Sequence, residues 1–301
     1  MPTTNDQMLQ GPLEVVYEAG ARLAESPVWD DRINCLYWVD IEAGRVCCLD
    51  PASRKSRTVE IGQRVGAVAL RQNGGLIAAM EQGIYYLDFD SGETHWLADP
   101  ESHLPDNRFN DAKCDPCGRL WAGTMGMNRP RQPVAALYML APGQPIKRQL
   151  DQVSVSNGMA WSADSRIFYY IDTQLERVDA FDFNHMTGSI TNRRTVIRIA
   201  EGEGRPDGMT IDNEGMLWVA HWGGWQVGRY DPQTGEKLFS VELPVARVSS
   251  CAFGGPNLDW LYITTARDGL SEAEAKEQPL AGSIFRIKTN QKGRPADRYA
   301  G

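Results

Sequence analysis

The sequence is poor in several things, and each shortage removes a class of function. Basic residues are in deficit, with 31 Lys and Arg against 39 Asp and Glu and a formal charge of −8. Nucleic acid is thereby excluded as a partner, because binding it needs a face that neutralises phosphates. No run approaches the roughly 18 apolar residues of a membrane span, and the stretch from Met1 to Gln10 is polar, without the apolar core of a signal peptide. The expectation is a cytoplasmic protein with no membrane contact. Its six cysteines (Cys35, Cys47, Cys48, Cys114, Cys117 and Cys251) are then expected as free thiols. Cys114 and Cys117 form a C-x-x-C, but its Asp-Pro and Gly read as a turn, and no second pair completes a zinc site. Histidine is scarce, at four residues. There is no G-x-S-x-G elbow for a serine nucleophile and no H-E-x-x-H for a zinc peptidase. His221, in Ala-His-Trp-Gly-Gly, reads as a structural histidine. Long amphipathic helix patterns are missing as well.

What is present is a succession of short runs rich in Val, Ile, Leu, Tyr and Trp, separated by turn residues, which marks strands. Leu36-Tyr-Trp-Val39, Ile84-Tyr-Tyr-Leu87, Phe168-Tyr-Tyr-Ile171 and Leu261-Tyr-Ile263 are examples. A five-residue pattern precedes such runs six times: Glu25-Ser-Pro-Val-Trp29, Gly66-Ala-Val-Ala-Leu70, Asn110-Asp-Ala-Lys-Cys114, Asn157-Gly-Met-Ala-Trp161, Asp207-Gly-Met-Thr-Ile211 and Ser249-Ser-Cys-Ala-Phe253. The spacing of about 40 to 50 residues is that of a four-stranded propeller blade. The fold class is therefore all-β, a six-bladed β-propeller occupying residues 1–301 as one domain. A spare N-terminal strand at about residues 14–20 closes the last blade beside Ser283–Ile287, since an open ring would leave strand edges exposed. Ser271 followed three residues later by Glu274 signals one short capped helix inserted in that blade. A closed ring needs no partner, so a monomer is expected.

In such a ring, equivalent positions of successive blades meet around the axis. The first residue of each pattern is Glu25, Gly66, Asn110, Asn157, Asp207 or Ser249. Two carboxylates and two carboxamides converge, with two small residues leaving space, and oxygen donors of this kind suit a hard divalent cation. Without a cation the carboxylates would repel each other, and at least one would have to protonate. Two residues earlier stand Leu23, Arg64, Arg108, Val155, Arg205 and Arg247. Four arginines in one ring of an acidic chain favour a polar, even anionic, substrate at the mouth. Trp38, Trp121, Trp161 and Trp218 lie in strand runs and read as core, whereas Trp222 and Trp225, in a Gly-rich loop, read as pocket walls.

These segments resemble the senescence-marker-protein/gluconolactonase (regucalcin-like) family over nearly the whole chain, from about Leu13 to Lys288. The motifs are Glu25-Ser-Pro-Val-Trp-Asp30, Asn107-Arg-Phe-Asn-Asp-Ala-Lys113, Gly118-Arg-Leu-Trp-Ala-Gly-Thr-Met125, Ser156-Asn-Gly-Met-Ala-Trp161 and Arg205-Pro-Asp-Gly-Met209. The resemblance implies one divalent metal (Ca²⁺, Zn²⁺, Mn²⁺ or Mg²⁺) on Glu25, Asn157 and Asp207. It also implies substrate contacts from Arg108 and Asn110, with Asn110 in reach of the metal through a water. A further contact, sometimes a glutamate in this family, falls on Asn128, with Arg129 and Arg131 beside it; this departure leaves the substrate open.

The implied activity is hydrolysis of a sugar-acid lactone to the open-chain aldonate, with Asp207 as catalytic base by resemblance. Opening a lactone needs the carbonyl polarised, the tetrahedral oxyanion stabilised and a water deprotonated. A neutral aldonolactone and one carrying a 6-phospho or 6-sulfo group both remain open. So do two other classes. A phosphotriesterase-type hydrolase uses the same scaffold but calls for a more apolar pocket than Arg108 and Asn110 provide. A non-enzymatic calcium-binding regulatory propeller would bind the ion without opening lactones.

Overall fold

The structure, a computed structural model, describes residues 8–301; the first seven residues of the polar N-terminal stretch lie outside the described residues. Its strands form six four-stranded antiparallel sheets, set around an axis as the blades of a β-propeller. The innermost strands, in chain order, are Ala24–Asp30, Val65–Leu70, Asn107–Cys114, Ser156–Trp161, Arg205–Ile211 and Val248–Gly254. They define blades one to six. The sixth blade continues through Trp260–Thr265 and Ile284–Lys288, and its outermost strand is the N-terminal Glu14–Tyr17, with Glu14 opposite Arg286 and Val15 opposite Phe285. Glu14 Oε2 accepts from both Nε and Nη2 of Arg286 at 3.0 Å.

Burial grades outward along each blade. The inner strand Val65–Leu70 is buried throughout, whereas the outer strand Lys55–Glu60 is mostly exposed. The core is a ring of apolar seams between neighbouring blades, which is where the aromatic strand runs go. Trp121 of blade three packs on Trp161 and Phe168 of blade four at 5.9 and 4.9 Å between ring centroids. Trp218 of blade five meets Phe253 of blade six edge-on at 5.6 Å. Two of these indoles are held by an aspartate in the preceding turn. Asp115 accepts from Trp121 Nε1 and Arg119 Nε, and Asp212 from Trp218 Nε1 and Arg229 Nε. The C-x-x-C is therefore a turn: Asp115 Oδ1 accepts from the Cys117 amide at 2.9 Å, and the six cysteines are free.

The helix Glu272–Glu277 sits between the second and third strands of blade six, with Ser271 as N-cap and its capping box with Glu274 complete. Among the described residues, no helix is long and apolar enough to cross a membrane.

One feature has no counterpart in the repeat pattern. After the last strand, residues 291–301 run beneath the ring as a strap. Asn213 N donates to Lys292 O, Gly293 N to Leu258 O, Tyr299 N to Leu70 O and Ala300 N to Gly118 O, all at 2.8–2.9 Å. Arg298 pairs with Asp30 at 2.7 Å, and Arg294 reaches the Trp161 carbonyl at 3.5 Å. The strap thus touches a turn or strand end of every blade. Between it and the inner strands lies a cavity of about 110 Å³ lined by Asp111, Lys113, Cys251, Arg294 and Asp297, among others.

Candidate functional site

The antiparallel ladder of every inner strand is interrupted at one level. The register shifts between Glu25 and Val28, Val65 and Ala67, Phe109 and Asp111, Ser156 and Met159, Pro206 and Met209, and Val248 and Ser250. The first residue of each five-residue pattern lies within or at the edge of its break. A bulge re-aims a side chain that the regular pleat would leave within a blade seam. The propeller applies this device six times at one height.

The six anchors do different things. Glu25, Asn157 and Asp207 are buried at the axis, at 6%, 3% and 7% exposure. Asn110 is half-buried; its Nδ2 donates to Ser156 O and its Oδ1 accepts from Arg108 Nη1, both at 2.8 Å. The two small residues do not leave open space, as the sequence suggested. A Cβ on Gly66 would collide with the Phe109 carbonyl, so glycine there permits blade three to approach. Ser249 is turned into the seam with blade one, where its hydroxyl donates to Ala24 O at 2.5 Å.

Burial pushes the Glu25 carboxyl well above its ordinary range, and the charges of Asp207 and Asp111 push it further; the Ser26 amide and Arg108 oppose this. Asp207 is raised by burial and by Asp111, against Asn157 and Arg108. The site is thus short of positive charge. Asn157 Oδ1 adds a second deficit. Among the described residues it is the one fully buried side-chain oxygen with no hydrogen-bond partner. Three or more His, Cys, Asp or Glu do not gather as a metal centre among the described residues. The donor set is instead two carboxylates and a carboxamide oxygen. Undercompensated carboxylates beside an orphaned amide oxygen fit a hard divalent cation.

The arginine ring divides. Arg108 is buried, its Nη1 donating to Phe109 O at 2.9 Å as well as to Asn110, and desolvation brings its guanidinium down to about 10. Arg64 is occupied by Glu42 at 3.0 Å and Glu81 at 3.2 Å, and exposed Arg205 is paired with Glu176 at 3.5 Å. Both thus face carboxylates in this structure, and the exposed Arg205 pair is a weak one. Arg247 has no acid within ion-pair distance among the described residues; it donates to Gly269 O at 2.6 Å and lies over Trp222 at 5.3 Å. Asn128 is exposed and donates to Asp106 Oδ2 at 3.0 Å. Arg131 of the same loop donates to the Gly126 and Asn128 carbonyls. Burial lowers Arg131 and Arg247, and the nearby charge of Arg129 lowers both further. The loop after Met125 thus bears on two parts of the mouth: Arg129 on Arg247, and Arg131 on Glu42 and Arg108.

His221 is structural: it is fully buried, with Nδ1 on Glu203 O at 2.8 Å and Nε2 on the Tyr230 hydroxyl at 3.0 Å. The repeat reading passed over three residues. Asp111 and Lys113 stand one and three residues after Asn110, where the other repeats carry only uncharged residues. At the first offset these are Ser26, Ala67, Gly158, Gly208 and Ser250, so the same alignment could have found the charged pair. Lys113 Nζ crosses the channel from blade three to the Met209 carbonyl of blade five at 2.7 Å. The third, Thr173, has no such signal.

The family model described as SMP-30/Gluconolactonase/LRE-like region matches residues 23–267. The chain belongs to that family. Human regucalcin is 43% identical over 294 residues, which cover 96% of this chain and 98% of that protein. Among solved structures, a luciferin-regenerating enzyme is similar at a TM-score of 0.90 and 31% identity, covering 96% of this chain and 99% of its own. A calcium-binding protein, regucalcin from Agrobacterium tumefaciens, is similar at 0.91 and 28%, covering 97% and 98%.

Proposed function

We propose that the chain hydrolyses sugar-acid lactones, with one divalent cation held by Glu25, Asn157 and Asp207. The carrying observation is the buried Asn157 Oδ1, which has no donor and stands with two carboxyls whose charges lack a counterion. Oxygen-only donors favour Ca²⁺, Mg²⁺ or Mn²⁺ over a thiophilic ion, and Zn²⁺ is accommodated by the same set. When bound, such an ion supplies Lewis acidity for the lactone carbonyl and acidity for the attacking water.

The remaining chemistry is assigned to the chain's own groups. Arg108 has five N–H donors, and Nη1 serves Phe109 O and Asn110. Its other donors are available to the ring hydroxyls or to the developing oxyanion. Asn110 locks that guanidinium to blade four through Ser156 O. Asp207 is assigned the proton of the attacking water; a carboxylate that also holds a cation is a weak base, so this role depends on the acidity the ion would lend that water. Arg247, Arg129 and Arg131 form no ion pair among the described residues, although Glu274 and Asp268 act on Arg247 and Glu42 on Arg131; this supports an aldonolactone bearing an anionic group, such as phosphate or sulfonate, on the carbon far from the ring carbonyl.

The test is acid release from neutral, 6-phospho and 6-sulfo aldonolactones, first in EDTA and then with Ca²⁺, Mn²⁺, Mg²⁺ or Zn²⁺ restored. Ion-dependent opening that Asp207→Ala abolishes supports the proposal. No opening above the spontaneous rate with any ion sinks it. A second reading, ion binding without turnover, is favoured by the calcium-binding description of the Agrobacterium neighbour. Tight ion binding with no lactone opening would select it.

A further inference from the structure

We propose that Thr173 is a positioning residue: its hydroxyl turns the Asn157 carboxamide so that Oδ1 faces the channel, and couples that turn to the Asp207 bulge. The proposal rests on reading Glu25, Asn157 and Asp207 as the cation-binding set. A count of protons fixes the direction of each bond. Thr173 Oγ1 lies 2.9 Å from the Pro206 carbonyl oxygen and 2.9 Å from Asn157 Nδ2. A carbonyl can only accept, so the single hydroxyl proton goes to Pro206 O. Toward Asn157 the hydroxyl can then only accept. That forces the amide to present its NH₂ to Thr173 and its oxygen to the other side, where it is buried without a partner. Reversing the amide would set two acceptors against each other in a buried place.

The hydroxyl itself has little freedom. Thr173 is 8% exposed and opens the short 3₁₀ turn Thr173–Leu175 at the end of the strand Ile167–Asp172. Its amide donates to Val155 O at 3.1 Å, and the preceding Asp172 carboxylate accepts from the amides of Ser154 and Val155 at 2.9 and 3.0 Å. Blade four therefore holds Thr173 to the start of its own inner strand, the strand that bears Asn157. From there the hydroxyl reaches across the seam to Pro206, the ladder residue just before the Asp207 bulge. Lys113 ties the ladder residue just after it, Met209, from blade three. The bulge that aims Asp207 is thus clamped at both edges by side chains of other blades, and one clamp also sets Asn157. Partners of this kind orient ligands they do not replace, and losing one weakens a metal site by about 10- to 100-fold.

The experiment is Ca²⁺ and Mn²⁺ titration, in competition with a chromophoric chelator, of the full chain and of Thr173→Val and Thr173→Ser. Thr173→Val keeps the shape and removes the hydroxyl; affinity is expected to fall by about 10- to 100-fold. Its melting temperature in EDTA is expected to fall by roughly 4 to 12 °C, since Pro206 O and the Asn157 amide lose a partner, with the fold retained. Thr173→Ser keeps the hydroxyl and should bind within about threefold of the parent, since the donor–acceptor inventory is unchanged. Valine binding as tightly as the parent, or serine losing as much as valine, overturns the proposal. Should the valine variant not fold, Thr173→Ala removes the same hydroxyl without placing a methyl against Pro206 O, and the same criterion applies. A parent chain that binds neither ion refutes the cation-site reading itself, a result distinct from any difference among the variants.

Discussion

Replacing Asp297 by asparagine should stabilise the protein at neutral pH and do nothing for it at pH 4. Asp297 lies in the C-terminal strap, facing the cavity under the ring. No hydrogen bond to its carboxylate is present among the described residues. Burial raises its carboxyl from 3.8 to about 6, although Arg294 and Lys113 pull it down; Asp115 adds to the rise. A carboxyl raised in the folded state contributes its full stability below the unfolded value and loses it as pH rises through the folded one. The window is therefore about pH 4 to 6, roughly two pH units at about 1.4 kcal/mol each, or at most about 3 kcal/mol. Partial hydration of the strap cuts this to about 2 kcal/mol. An asparagine at this position cannot ionise and keeps the shape, so that amount returns above pH 6. At about 2 to 4 °C per kcal/mol for chains somewhat shorter than this one, Asp297→Asn should melt about 4 to 6 °C above the parent at pH 7.5. Below pH 4 the two should coincide. The assay is thermal unfolding by circular dichroism at half-unit pH steps, in EDTA so that no ion binding intrudes. An equal gain at pH 4 and 7.5 would show a packing effect and refute the role of ionisation; no gain at either pH would refute the buried-charge reading.

Three further outcomes are expected. Asp207→Asn should cut kcat for lactone opening by about 10² to 10⁴ through loss of the base, while its EDTA melting curve loses part of the decline with rising pH that the parent's raised Glu25 and Asp207 carboxyls cause. A variant that opens lactones at the parent rate removes Asp207 from the chemistry. Arg108→Ala should lower kcat/KM by about 10² to 10³, as for loss of one donor to an oxyanion; a rise in KM alone would assign Arg108 to ground-state binding instead. The double variant Arg129→Gln with Arg131→Gln should raise KM for a 6-phospho or 6-sulfo lactone by about tenfold and leave the neutral lactone within about twofold. Equal effects on both substrates would show that these arginines only support the loop.

The blade architecture was legible because a repeat has to solve the same problem six times. Each inner strand must leave the ladder at one height, and the first residue of each five-residue pattern marks that height; Glu25, Asn110, Asn157 and Asp207 were located on that basis. The offset alone does not say what a side chain does after leaving the ladder. Gly66 and Ser249 share it and are absorbed by backbone approach and by a blade seam. Partners were less legible than positions. Arg64 and Arg205 stand in register with Arg108, yet Glu42, Glu81 and Glu176 come from connections between strands that carry no period. Thr173 lies outside the five-residue pattern altogether, and nothing in Asp-Thr-Gln-Leu marks a hydroxyl that donates to the next blade and accepts from an amide of its own. The strap was invisible for a related reason: Gln-Lys-Gly-Arg-Pro-Ala-Asp-Arg-Tyr has neither a strand's alternation nor a helix's period, and it is held by scattered bonds to turns and strand ends of separate blades.

Two arrangements of charge follow from this geometry, one below the anchors and one at their level. Below the anchors, Lys113 spans the axis to Met209 O, Arg294 and Arg298 bring cations with the strap, and Asp111, Asp297 and Asp30 face them. Cations and carboxylates share that end, although burial still raises Asp111 and Asp297, and a chain segment lies across it. At the anchor level the carboxyls of Glu25 and Asp207 have Arg108 as their nearest cationic help, and Arg108 is itself committed to Phe109 O and Asn110. On the proposed reading, two raised carboxyls beside a partnerless amide oxygen direct an external cation to the anchor level. On that reading, an ion bound at the bulges would add to the stability of the whole ring.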